Sequence, residues 1–295
     1  MSAASEVSRP DRLVETPSGK GAKDENFPVG SMLLPARLRP HVATYYDYAR
    51  AIDDIADDAD LPSSKKIERL EAFANALEGK EGFGIEYAKA HKLRESMIAT
   101  NVPTVHGTDL VSAFVQDCKK LRYESWEELL GYCALSANPV GRYLLDLHEE
   151  PKSSYQYSDA LCTVLQIVNH LQDCQEDKQS LDRIYVIEPW LREVGGSLDD
   201  IDGDVSSLPL RRVMDRMLDG CDALMIDARR LPSMLKSRHL AMESAVIVRL
   251  ADRLIKLLRK KDPIAERVDL SKVDFLSAGL RGAPAGFFQA GSGLK

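Results

Sequence analysis

The stretch YSDALCTVLQIVNHLQDCQED, residues 157–177, constrains this 295-residue chain more than any other. Its early turns, ALCTVLQIV, read as a helix buried in a core. The same rod then carries Asn169, Asp173 and Asp177, an amide and two carboxylates four residues apart, with Glu176 beside the last. Residues four apart on an α-helix stack on one face about 6 Å from each other, so the three make a stripe roughly 12 Å long. Like charges at that spacing weaken a helix by a few tenths of a kcal/mol in water, and by more when partly buried. A fold that holds this segment needs a helical interior and a partner for its acids.

Helical periodicity runs through most of the chain. Residues 36–58, ARLRPHVATYYDYARAIDDIADD, recur apolar at helical spacing, and Pro40 is expected to bend or restart the run. Residues 63–77, SSKKIERLEAFANAL, open on a serine cap and set Ile67, Leu70, Phe73 and Leu77 on one stripe. Further helical patterns cover 108–121, 125–147 around Pro139, 210–231 and 242–261. The short run IYVI, 184–187, is strand-like, but regular alternation is absent elsewhere. No internal repeat or linker stands out. The expectation is an all-α fold with a single domain over residues 25–268. Residues 1–24, rich in Ser, Gly, Lys and acids, read as a disordered tail. The Gly- and Ala-rich residues 269–295 read as a flexible C-terminal segment in which only GFF, 286–288, suggests docking.

Hydrophobic residues at 44% and charged residues at 29% suffice for a sizeable core. The net charge of −7 argues against a nucleic-acid-binding role, which needs clustered positive charge. The five cysteines, Cys118, Cys133, Cys162, Cys174 and Cys221, include no CxxC pair, so reduced thiols in a cytoplasm are expected. No secretory leader and no run of about 18 apolar residues is found. Six histidines without an HxxxH pair disfavour zinc, and no GxGxxG marks a nicotinamide site. LIKLLRKK, 254–261, mixes apolar and basic faces and reads as a solvated helix end rather than a membrane anchor.

A second acidic cluster lies earlier, in AIDDIADDAD, residues 51–60. Asp53 and Asp57 point one way, and Asp54 and Asp58 lie on the adjacent stripe. A solvated acidic face would account for this cluster by itself. For Asn169 to Asp177, which continue a buried rod, a hard divalent cation is the better resolution. Mg²⁺ takes oxygen ligands and bridges carboxylates to substrate phosphates. Two acidic stripes facing each other across a helical bundle would hold such ions and grip a leaving diphosphate.

Three segments in order carry a resemblance to the squalene and phytoene synthases, the head-to-head trans-isoprenyl diphosphate synthase family. YYDYARAIDDIADD, 45–58, resembles the first aspartate-rich motif, with its Tyr, Arg and DDxxD. LQIVNHLQDCQEDKQSLDRIYVI, 165–187, resembles the second, with Leu-Gln, then Asn, Asp and Asp at intervals of four, followed by Arg-Ile-Tyr. YCALSANPVGRYLL, 132–145, sits where the family has its Tyr-Cys-Tyr helix. The similarity spans about residues 26–260. ENFPVGSMLLPARLR and SANPVG resemble the bacterial members of the hopanoid pathway that make hydroxysqualene. Two departures stand out. Gln172 occupies the place of an arginine before the first Asp of the second motif, and Ala137-Asn138 replaces an Ala-Gly pair.

The resemblance implies an isoprenoid synthase helical bundle with a central substrate channel and Mg²⁺ as cofactor. It implies presqualene diphosphate and water as substrates, with functional coupling to a presqualene diphosphate synthase and a hydroxysqualene reductase. A cytoplasmic enzyme, with peripheral contact to the inner face of the plasma membrane left open, fits that role. Asp53, Asp57, Asn169, Asp173 and Asp177 are then expected as metal ligands, with Asp54 as helper. Arg50 and Arg183 would contact diphosphate, and Tyr185 would close over the leaving group with Arg183. Tyr46 would stand near the cation, Gln166 would face the channel, and Asn138 would orient water. Plainer roles compete: an i,i+4 salt bridge to Asp54 for Arg50, core packing for Tyr46, helix-break chemistry for Asn138. His170 is expected as a satisfied polar group. Alternatives within the family are an NADPH-dependent squalene synthase, a presqualene diphosphate synthase and a phytoene synthase. Outside enzymes, the alternative is an inactive helical assembly subunit.

Overall fold

The computed structural model describes residues 14–15 and 32–294, so nearly all of the expected N-terminal tail lies outside the described residues. The regular elements among them are all helical, as the periodicity predicts. In chain order they are α1 (Arg39–Asp57), α2 (Ser63–Glu78), α3 (Ala88–Thr100), α4 (Val105–Asp117), α5 (Trp126–Ser136) and α6 (Asn138–Leu147). They continue with α7 (Tyr155–Gln172), α8 (Cys174–Leu181), α9 (Glu188–Glu193), α10 (Leu208–Ala228), α11 (Arg238–Lys260) and α12 (Lys272–Gln289), with short 3-10 turns between.

Helix α7 is the central rod and packs on α5, α6, α10 and α11. Val164, Ile167, Val168 and Leu171 on it are no more than 1% exposed. Each side chain so buried stabilises the fold by about 1.5–3 kcal/mol. Helix α1 packs on α2, α3 and α4, and α4 also meets α5 and α6, so α4 joins the two groups.

Prolines set several boundaries. Pro40 neither bends nor restarts α1; it sits in its first turn, where its missing N–H costs nothing. Pro139 likewise opens α6 and separates it from α5. The expected serine cap of α2 is absent: Pro62 holds the cap position and Ser63 is already helical. Residues 184–187 form no strand; the segment bends at Val186, and the Ile184 N–H donates to the Leu121 carbonyl at 2.9 Å. Helix α3 carries too few apolar positions to stand out, since only Ala90, Leu93 and Met97 are buried on it.

The expectation of a flexible C-terminal segment is overturned for 272–289. Helix α12 starts at a capping box, in which Ser271 and Asp274 exchange side-chain bonds with each other's backbone N–H. Ala278, Gly282 and Gly286 then lie against α11. A Cβ at Gly286 would stand 2.3 Å from the Ala241 carbonyl oxygen, and one at Gly282 would stand 2.9 Å from Val246 Cα. The small residues let two helix backbones touch. Gly286→Leu is expected to separate the helices and speed amide exchange across 272–289 by about tenfold or more, while 155–172 stays protected. Hydrogen exchange with mass spectrometry reads both segments in one measurement. The apolar residues of LIKLLRKK, Leu254, Ile255, Leu257 and Leu258, are all buried in α11, consistent with a helix end and not an anchor.

Candidate active site

Asp53, Asp54 and Asp57 lie on the last turns of α1, whose inner face of Tyr48, Ala51, Ile52 and Ile55 is wholly buried. That packing fixes where the carboxylates point. Arg50, one turn earlier, reaches Asp53 at 3.0 Å and Asp54 at 3.3 Å. The helix salt bridge foreseen as the plainer role of Arg50 is therefore present. Burial and the neighbouring Asp57 push the Asp53 carboxyl above the usual carboxylate range, against the pull of Arg50 and Arg183.

Beyond α8 the chain turns at Asp182 in the left-handed region (φ 53°) and returns to α1 through Arg183. Arg183 donates from Nη1 to Asp57 Oδ1 at 2.6 Å and from Nη2 to the Ala56 carbonyl at 2.9 Å. Burial opposes its charge, but Asp57 and then Asp117 outweigh that and hold it protonated. Arg183 thus ties the end of the second acidic segment to the first.

The second stripe does not lie on one straight rod. Asn169 is in the last turn of α7, Asp173 leaves helical geometry (φ −102°, ψ 8°), and Asp177 is in the first turn of α8. The Asp177 N–H still donates to the Asp173 carbonyl at 2.8 Å, so the spacing survives the break. His170 is buried, with Nε2 3.1 Å from the Gln166 amide nitrogen and Nδ1 3.9 Å from Asp177 Oδ2. Its ring stacks on Tyr185 with centroids 3.5 Å apart. It is a satisfied polar group, as expected.

Tyr185 is buried beneath this layer. Its hydroxyl donates to Asp117 Oδ1 at 3.3 Å, and the Tyr132 hydroxyl donates to Asp117 Oδ2 at 2.8 Å. Burial pushes the Asp117 carboxyl up to about 7, with Arg183 and the phenols offsetting it only in part. A carboxyl that binds its proton more tightly folded than unfolded adds stability that is full below its unfolded value, near 3.8, and lost as pH rises through about 7. The stability advantage of the parent over Asp117→Asn is thus expected to shrink by roughly 2–3 kcal/mol between pH 5 and pH 8. Urea unfolding of both proteins across that window checks it.

Asn138 opens α6, is buried, and accepts a hydrogen bond from the Thr163 hydroxyl at 3.1 Å. Thr163 lies one turn before Gln166 on α7, so a polar line runs from Asn138 along α7 towards the acids. Tyr46 is half-buried beside Tyr45 and Tyr48, which take the core positions; Tyr45 stacks on Tyr143 at 4.0 Å.

Three residues were not singled out by sequence reasoning. Tyr132 lies inside the quoted middle motif, which could have found it. Asp117, a lone acid at the end of an apolar helix, gives only a weak signal. Arg267 gives none. Its charge is reinforced first by Asp269, to which Nε donates at 2.9 Å, and also by Asp173 and Glu176. The Gln172 amide donates to the Val268 carbonyl at 2.5 Å and tethers that segment. A cation from a remote part of the chain thus stands near the place where the motif lacks one.

Among the described residues, no three or more His, Cys, Asp or Glu side chains are gathered closely enough to hold a metal ion. The donors fit Mg²⁺ by type: hard oxygens on two elements, with like-charge strain at Asp53 that a dication would relieve. Arginines serve as the counter-ions in this arrangement.

The squalene/phytoene synthase family model matches residues 21–274. A hydroxysqualene synthase of Rhodopseudomonas palustris is 39% identical over 264 residues, covering 90% of this chain and 89% of the relative. One from Zymomonas mobilis is 38% identical over 88% of this chain and 87% of its own length. Among solved structures, squalene synthase HpnC from Alicyclobacillus acidocaldarius superposes with a TM-score of 0.69 at 30% identity, over 79% of this chain and 87% of that one.

Proposed function

The chain belongs to the squalene/phytoene synthase family, and we propose that it converts presqualene diphosphate and water to hydroxysqualene and diphosphate. The hydroxysqualene synthases that resemble it over some nine-tenths of the chain support this choice within the family. The observation that carries the site is the Arg183–Asp57 contact, which brings the Arg-Ile-Tyr end of the second motif onto the first.

In this reading the C–O bond at the cyclopropylcarbinyl carbon breaks, and the diphosphate leaves with the electron pair. Asp53, Asp57, Asn169, Asp173 and Asp177, with Asp54 beside them, would hold Mg²⁺; when bound it supplies charge neutralisation at the leaving phosphates. Arg50, Arg183 and Arg267 turn from their carboxylates to the phosphate oxygens, where charge develops. Tyr185, held by Asp117 and stacked on His170, keeps the floor of the site rigid under Arg183. The carbocation rearranges with ring opening, and one water adds its oxygen and loses a proton. Asn138, oriented by Thr163, and Gln166 are the polar groups available to position that water. Tyr46 lies on α1 one turn before Arg50.

Supply of presqualene diphosphate by a presqualene diphosphate synthase and removal of the alcohol by a hydroxysqualene reductase belong to this proposal. Incubation of the purified protein with presqualene diphosphate and Mg²⁺, with and without NADPH, tests it. Hydroxysqualene is expected in both. Squalene formed only with NADPH overturns the reading in favour of a reductive synthase.

A further inference from the structure

The outward face of α12 is apolar from end to end. Val273, Leu276, Leu280, Pro284 and Phe287 recur at intervals of three and four, which puts them on one side of the helix over about 21 Å. Val273 is 73% exposed, Leu276 63% and Leu280 69%, and the neighbouring Phe288 is 82% exposed. The opposite face is the small-residue seam on α11, so this exposure follows from the packing and not from fraying. Isolated exposed leucines are ordinary, whereas a continuous apolar stripe on a packed helix marks a contact surface.

Charge identifies what it contacts. Helices α11 and α12 together hold eight Lys and Arg against three Asp and Glu, a balance of +5 in a chain whose total is −7. Lys272 and Arg281 flank the stripe on α12, and both are exposed. On α11, Arg249, Arg253 and Lys256 project from the exposed side, with Arg253 reaching Asp274 at the start of α12 at 2.7 Å. The Arg238 guanidinium lies 4.7 Å from the ring of Phe287. An amphipathic helix with an apolar face bordered by cations seats its apolar side among acyl chains and its cations at phosphate headgroups.

We propose that α12 is a docking surface for an anionic lipid bilayer, on which the protein lies without crossing it. Among the described residues no helix is long and apolar enough to span a membrane. The surface is separate from the acidic site and does not depend on the reaction assigned above.

Co-sedimentation of the full chain with vesicles of phosphatidylcholine mixed with phosphatidylglycerol tests this, beside vesicles of phosphatidylcholine alone. The parent protein is expected to bind the mixed vesicles, and raised salt should weaken that binding. Replacing Leu276, Leu280 and Phe288 together by serine removes exposed side chains only; it should lower vesicle binding by about tenfold or more and leave turnover of detergent-dispersed substrate unchanged. Lys272→Gln with Arg281→Gln should lower binding to the mixed vesicles by about tenfold. Failure of the parent to bind mixed vesicles, equal binding to both vesicle types, or unaltered binding by the triple variant overturns the proposal. So does light scattering that finds the parent dimeric and the triple variant monomeric without vesicle binding, which would assign the stripe to a second copy of the chain. Binding is read without substrate, so its failure is distinct from failure of the proposed reaction.

Discussion

Arg183→Met is expected to lower stability by about 2–3 kcal/mol and turnover by about 10²–10³-fold. The stability loss arises because Arg183 is only 8% exposed at its side chain and makes two bonds to α1, one to Asp57 and one to the Ala56 carbonyl. Breaking a wholly buried pair costs about 3–5 kcal/mol. The smaller figure applies because Asp57 is 37% exposed and water screens it. Adding Asp57→Asn should recover part of the stability, since no orphaned carboxylate then faces the gap, but none of the turnover. Arg183→Lys should not restore either property, because an ammonium cannot copy the two-pronged geometry. Urea unfolding and steady-state turnover of the four proteins separate the effects. Wild-type turnover in Arg183→Met would reduce Arg183 to a structural clasp.

Asp173→Ala is expected to have the opposite balance: turnover of presqualene diphosphate falls by about 10³-fold or more, while stability changes by at most about 1 kcal/mol. Asp173 is half-buried at the break between α7 and α8, outside the apolar rod. Its removal leaves Val164, Ile167, Val168 and Leu171 in place. In the proposed reaction the acid serves the ionisation and not the core. If product forms at the parent rate, the second acidic segment has no catalytic part, and the inactive assembly subunit becomes the better description.

The rod α7 and its acids were legible because a buried helix with regularly spaced carboxylates has few physical explanations. Arg183 and Tyr185 were legible through their motif, but their partners were not. Asp57 lies 126 residues from Arg183, and Asp117 lies 68 from Tyr185, separations that periodicity does not encode. Arg267 was invisible for the same reason. The end of the chain was misread for a different one. Composition treats Gly and Ala as signs of mobility, whereas on α12 their position every four residues makes them a seam. The break at Asp173 was also missed, because a spacing of four looks the same across a helix that halts and restarts with its register kept.

The resting pairing of Arg183 with Asp57 also sets an entry condition for anions. A phosphate that arrives alone must take the guanidinium from a carboxylate already bound at 2.6 Å and gains little by the exchange. In the proposed reaction a diphosphate arriving with its own dications would offer Asp57 a new partner in the same event, so both halves of the old pair would be satisfied at once. On that proposal the protein's own acid is a placeholder that would yield to a polyanion and its metals together, while inorganic phosphate alone would meet a guanidinium already paired.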